Sequence, residues 1–127
     1  MTDFMHIGEV AARTELSLRS LRHWEEVGLL VPSGRSEGGF RLYTEEDVQR
    51  ILLVRRMKPL GFSLEAMKEA LVDLETLRDG DASATAVATA TERIAGVRAE
   101  ALERRAALVR QLEMADEFIE ILGRETP

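Results

Sequence analysis

Apolar residues recur at helical spacing along most of the chain, and the breaks between runs mark its elements. Ile7, Val10 and Ala11 stand at i, i+3 and i+4, which predicts a short helix ending near Thr14. Glu15-Leu16-Ser17 reads as a tight turn, and the Ser17 hydroxyl can accept orphan backbone N–H groups of a second helix. That helix runs from Leu18 to about Val27, with Gly28 suited to its C-terminal cap. Leu18 and Leu21 point to a core. Arg19, Arg22, His23 and Glu26 recur at i, i+3, i+4 and i+7 on an exposed face, and Ser20 is also polar.

Two short helices about three residues apart form a helix-turn-helix pattern. After Leu29–Pro32, three glycines (Gly34, Gly38, Gly39) mark a turn, and Phe40, Arg41, Leu42 and Tyr43 alternate as a strand would, so a β-hairpin is predicted. Thr44-Glu45-Glu46-Asp47 is a capping-box signature; the helix it opens carries Val48, Ile51 and Leu52 on one face and should stop at Pro59 and Gly61. Ser63 caps another helix, with Leu64, Met67, Leu71 and Leu74 on its apolar side.

Residues 83–122 hold no proline and one glycine. Val87, Ile94, Ala101, Leu108, Ala115 and Leu122 recur every seven residues, and Leu112 and Ile119 add a second row at the far end. Upstream that row holds Thr91, Arg98 and Arg105, so the seam weakens there. This is a coiled-coil stripe on a helix of about 40 residues, about 60 Å long, which cannot bury the stripe alone. It predicts a partner, most simply a second copy of the chain. An intramolecular return onto the rest of the domain is the blander reading, and the length argues against it.

Charge sharpens the division. The net charge of −6 speaks against a nucleic-acid partner, but residues 1–63 hold nine Arg/Lys against nine Asp/Glu, so the acidity lies in the second half. Phosphate binding depends on local clusters of Arg and Lys. There is no cysteine, which excludes disulfides, thiolate metal sites and cysteine catalysis by these residues. Met1 to Ile7 has no apolar run of the kind a leader carries, and no stretch approaches the roughly 20 apolar residues of a membrane span. A cytoplasmic location is expected. Two histidines without a cysteine partner give no metal site, and no Ser/His/Asp order or phosphate-binding glycine loop supports an enzyme. No cofactor is expected.

Five segments, in order and at matching spacing, closely resemble the MerR family of bacterial transcription regulators. They are Ile7-Gly8-Glu9-Val10-Ala11, Ser20-Leu21-Arg22-His23-Trp24-Glu25, Gly28-Leu29-Leu30-Val31-Pro32, Gly39-Phe40-Arg41-Leu42-Tyr43 and Leu60-Gly61-Phe62-Ser63-Leu64. The resemblance implies an all-α winged helix-turn-helix with a small β-hairpin wing over residues 1–76, then a dimerisation helix over 77–127 that pairs antiparallel with its mate. The Leu18–Val27 helix would enter the major groove, the hairpin would touch the backbone near the minor groove, and the Ile51 to Leu71 helix pair would be a second wing. The function implied is sequence-specific regulation of transcription by a homodimer that binds and distorts promoter DNA, with RNA polymerase as a further partner.

On that reading the DNA-binding residues are Ser17, Arg19, Ser20, Arg22, His23, Trp24, Arg35, Arg41, Tyr43 and Lys58. Arg can bridge two guanine acceptors or grip a phosphate as a fork. Simpler roles stand beside these: a solvated helix face for Arg19 and Arg22, packing for His23 and Trp24, hairpin anchoring for Tyr43, and a helix-dipole partner for Arg55, Arg56 and Lys58. The dimerisation residues are Val87, Ile94, Ala101, Leu108, Leu112, Ala115, Ile119 and Leu122. A small-molecule effector would find apolar material in Trp24, Phe62, Met67 and Met114, which core packing also explains.

Three departures from the family pattern matter. Glu15 stands where a turn glycine is common, Trp24 and Phe40 replace tyrosines, and the absence of cysteine removes the thiol-based metal and redox sensing of some branches. Two rival readings are an architectural or excisionase-like protein that bends DNA without an effector, and a coiled-coil interaction module.

Overall fold

The computed structural model describes residues 3–127; Met1 and Thr2, which open the predicted first domain and the stretch read for a leader, lie outside the described residues. By compactness the chain forms two units, one ending at Val72 and the other Asp73–Pro127. In order the elements are α1 (Ile7–Thr14), α2 (Leu18–Glu26), β1 (Gly34–Arg35), β2 (Arg41–Leu42), α3 (Glu45–Met57), a 3-10 turn (Lys58–Leu60), α4 (Leu64–Arg78) and α5 (Ala84–Glu125).

The first unit is a helical core with one small hairpin. Val10, Leu21, Leu30, Tyr43, Val48, Ile51 and Val54 are fully buried, and α1 packs on both α2 and α3. Leu18, expected in the core, is instead 40% exposed. It is the first residue of α2, and its Cβ tilts back toward the helix N-terminus, beyond the packed turns.

The turn between α1 and α2 reverses the chain in three residues. Glu15 achieves this in the left-handed region, at φ 57° and ψ 30°, and is the sole non-glycine residue with positive φ among those described. The Thr14 hydroxyl donates to the Val10 carbonyl at 2.8 Å, and Arg55 of α3 donates to the Thr14 carbonyl at 2.6 Å. The strain at Glu15 costs about 1 kcal/mol or more. Glu15→Gly is therefore expected to stabilise the fold by about 0.5–1 kcal/mol, after allowing for the greater unfolded-state freedom of glycine. A urea titration reads this as a higher midpoint. An unchanged or lower midpoint would mean that the Glu15 carboxylate, 3.8 Å from the Arg55 guanidinium, outweighs the strain.

Caps follow the sequence closely. Ser17 accepts from the Ser20 N–H at 3.0 Å, and Ser63 accepts from the Ala66 N–H at 3.1 Å. The Thr44–Asp47 capping box is complete. Its Asp47 is buried and also accepts from the Ser33 hydroxyl, which ties the start of the hairpin to α3. The hairpin itself is minimal, with Gly34 opposite Leu42 and Arg35 opposite Arg41. Gly39, at φ +82°, closes its turn. Strands this short are marginal alone. Anchoring comes from Tyr43, whose backbone pairs with Met5 through N–H···O bonds of 2.7 and 2.9 Å, a bridge the sequence did not announce.

An exposed ion pair joins α1 to α3. Arg13 donates two bonds to the Glu45 carboxylate, one of them at 2.9 Å. With Gln49 as a further donor, this holds the Glu45 carboxyl at about 2, well below its ordinary 4.5. Because folding lowers this pKa, the contribution is present above pH 4.5 and is lost as pH falls toward about 2. Its size is small at an exposed site. Glu45→Gln should flatten the fall of the urea midpoint between those two pH values; parallel curves for variant and wild type would contradict the assignment.

In the second unit, Ser83 caps α5 by accepting from the Ala86 N–H at 3.1 Å, and Arg93 reaches the buried Asp73 carboxylate at 3.4 Å. From residue 91 to the end nothing is buried. Val87, Ile94 and Ala101 are half-buried; Leu108, Leu112, Ala115, Ile119 and Leu122 are exposed, all on one unbroken helix of 42 residues. Among the described residues no helix is long and apolar enough to cross a membrane.

Candidate nucleic-acid interface

The helix-turn-helix presents α2 by one face. Leu21 and Trp24 lock its inner side into the core, and Gly28 at φ +84° ends it, with the Leu29 N–H donating to the Trp24 carbonyl at 2.8 Å. The outer side is left to Arg19, Arg22, His23 and Glu26, all exposed. Neither Arg19 nor Arg22 makes a hydrogen bond or ion pair among the described residues. Two unpaired guanidiniums one turn apart on a rigid helix are poised donors for an anionic surface.

A crevice lies along each side of α2. One, of about 450 Å³, is lined by Arg19, Ser20, His23 and Trp24 from α2, by Leu16, and by Arg55, Lys58 and Pro59 from the end of α3 and the turn after it. Three cations and a histidine line it, and Lys58 Nζ sits 5.6 Å from the Trp24 ring centre. The other, of about 460 Å³, is lined by Arg22, Glu25, Glu26 and Arg41. The hairpin thus meets α2 through Arg41, whose Nε donates to Glu25 Oε1 at 2.7 Å.

Of the residues singled out in the sequence, Arg19, Ser20, His23 and Lys58 come together in the first crevice, and Arg22 and Arg41 in the second. Ser17 is committed to the helix cap and also donates to the Ser20 hydroxyl. Arg35 is exposed on the wing and braces it by donating to the Gly39 carbonyl at 3.1 Å. Two expected contacts need correction. Trp24 is only 4% exposed and is a core residue with an edge on the crevice. Tyr43 is fully buried, so it anchors the hairpin and offers no surface to a ligand. Phe62 and Met67 are likewise core residues, whereas Met114 is exposed on α5. The sequence leaves Arg55 open between a helix-dipole role and DNA and gives Glu25 no role of its own; their partners lie 41 and 16 residues away, where no local spacing signals them.

The Tyr43 hydroxyl has no hydrogen-bond partner among the described residues. Burial, helped by the nearby Glu25 charge, pushes its pKa above the ordinary 10. Tyr43→Phe removes a buried group that nothing satisfies, so stability should hold or rise by up to about 1 kcal/mol. DNA affinity should stay within about twofold, a change of less than about 0.5 kcal/mol. A tenfold loss of affinity with stability unchanged would restore Tyr43 as a contact.

Residues 5–74 match the family model for MerR helix-turn-helix regulatory proteins, and residues 48–115 match that for the MerR DNA-binding region. A heavy metal-dependent transcription regulator of Rhizobium meliloti (strain 1021) is 37% identical over 109 residues, covering 85% of this chain and 69% of that protein. The nodulation protein NolA of Bradyrhizobium sp. (strain NC92) is 41% identical over 73 residues, 58% of this chain but 31% of its own length. The chain therefore spans about a third of that relative. Among solved structures, a MerR family transcriptional regulator from Listeria monocytogenes superposes with a TM-score of 0.71 at 25% identity, over 95% of this chain and 87% of that one.

Proposed function

This chain belongs to the MerR family of helix-turn-helix regulatory proteins, and from that membership we propose that two copies act as one transcription regulator on promoter DNA. The observation that carries the reading is the outer face of α2, where Arg19 and Arg22 stand unpaired between two crevices that add Lys58, Arg55 and Arg41. Base edges in the major groove take Arg as a two-pronged donor, and flanking cations hold phosphates and set the register. Ser20 and His23 reach the same surface. The domain division is that of the sequence reading, residues 1–76 on DNA and 77–127 for assembly.

Assembly rests on α5. Leu112 and Ile119 are 61% and 64% exposed in the single chain, and a water-facing row of this kind asks for a partner. Charge selects the direction. Residues 93–110 carry five arginines against two glutamates, whereas residues 111–125 carry five acidic residues against one arginine. Antiparallel copies lay the basic half of each helix on the acidic half of the other; parallel copies set like against like. An antiparallel pair related by a two-fold axis carries two recognition helices to two half-sites, so the operator is an inverted repeat. The dimer bends and untwists the DNA between the half-sites, and RNA polymerase reads the altered promoter.

Selection of bound duplexes from a random pool tests this. The expected product is an inverted repeat with a fixed spacing. Enrichment of single half-sites, or of nothing, would contradict the dimeric regulator.

A further inference from the structure

The crevice between α2 and the wing holds two arginines and two glutamates, an odd composition for a surface that meets phosphates. Glu25 is 20% exposed and Arg41 44%, so the carboxylate lies beneath the guanidinium. The contact is made on one edge only: Nε donates to Oε1 at 2.7 Å. The terminal nitrogens Nη1 and Nη2 of Arg41 donate to nothing among the described residues. A carboxylate that sequestered this arginine would engage the terminal fork. Here the fork stays available, and the tie links the recognition helix to a wing whose strands are two residues long.

We infer that Glu25 is a positioning residue of the DNA interface, holding Arg41 by its Nε edge so that the terminal fork of the wing arginine takes a DNA phosphate. The inference rests on the DNA-binding reading above and deepens it. Its consequence runs against simple charge counting. Removing a negative charge beside DNA should tighten binding. Removing this one weakens binding, because a wing arginine released from its tie must be ordered again at the moment of contact.

The experiment measures the affinity of the full chain for its selected operator over a salt series, for wild type, Glu25→Ala, Glu25→Gln, Glu25→Asp, Arg41→Ala and the Glu25→Ala/Arg41→Ala pair. Wild-type binding that falls linearly with log salt establishes the DNA reading first; a wild type that binds no duplex overturns that reading and this inference with it. Glu25→Ala is expected to lose about tenfold in affinity and about 0.9 in salt slope, the share of one phosphate. Glu25→Gln, whose amide oxygen still accepts from Nε, should bind like wild type. Glu25→Asp keeps the charge but withdraws the acceptor, and should lose affinity as alanine does, which serves if the alanine variant does not fold. Glu25→Ala should add nothing in the Arg41→Ala background. The inference is overturned if Glu25→Ala binds as tightly as wild type or more tightly, if Glu25→Asp is unaffected, or if the two alanine effects simply add.

Discussion

Replacing Arg19 and Arg22 together by alanine should leave a folded dimer that no longer recognises its operator. Neither side chain has a hydrogen-bond or ion-pair partner within the described residues, so removing both breaks no internal polar contact. Substitutions on such a surface change stability by about 0.5 kcal/mol or less. On DNA each arginine should be worth about 1–3 kcal/mol. The pair should therefore cost on the order of 100-fold or more in affinity, with an unchanged melting curve. The single variants separate the two roles. An arginine on a phosphate weakens all sequences alike and lowers the salt slope by about 1, whereas one on a base relaxes specificity at one position. Operator binding that survives the double substitution would place recognition on residues other than Arg19 and Arg22, and a cellular function that survives without operator binding would favour an interaction module.

A glutamate at both Leu112 and Ile119 should dissociate the dimer. These two residues form the second row of the seam and sit in its acidic half. Burying a leucine or isoleucine against a partner contributes about 1.5–3 kcal/mol each, and a carboxylate at either position forfeits that gain and must itself be desolvated. Two copies would place four such charges in one interface. Sedimentation should show a monomer at micromolar concentration with its helices intact. Operator binding should fall by about 10²–10⁴, because the second half-site is then no longer engaged within one complex. A variant that remains dimeric would mean that another face of α5, such as Met114 and Phe118, carries the assembly.

Much of this architecture was legible because local chemistry writes it. The Ile7–Thr14 pattern, the Ser17 cap and the Thr44–Asp47 box each appear in the structure at the residues expected. Glu15 stands where the family pattern commonly has a turn glycine, and it takes the left-handed conformation itself. The misreadings have a common cause. Periodicity gives Leu18 a face but not its position at the open end of a helix. Tyr43 and Trp24 fit a contact motif, yet their burial depends on how α1, α2 and α3 close around them. Arg55 on the Thr14 carbonyl, Met5 beside Tyr43 and Glu25 under Arg41 are tertiary pairings, set by the fold and invisible to spacing. The interface accordingly divides into side chains that spacing reveals, on the face of α2, and side chains that hold them in place, which it does not.

Footprinting of the purified protein on the region upstream of its own gene, repeated over a salt series, shows whether α2 of two copies sits on one promoter. The expected pattern is one protected inverted repeat within a promoter, lost steeply as salt rises, with the log of affinity falling by about 0.9 per phosphate contacted for each tenfold rise in salt. A folded dimer that protects no site there at any salt concentration would contradict it.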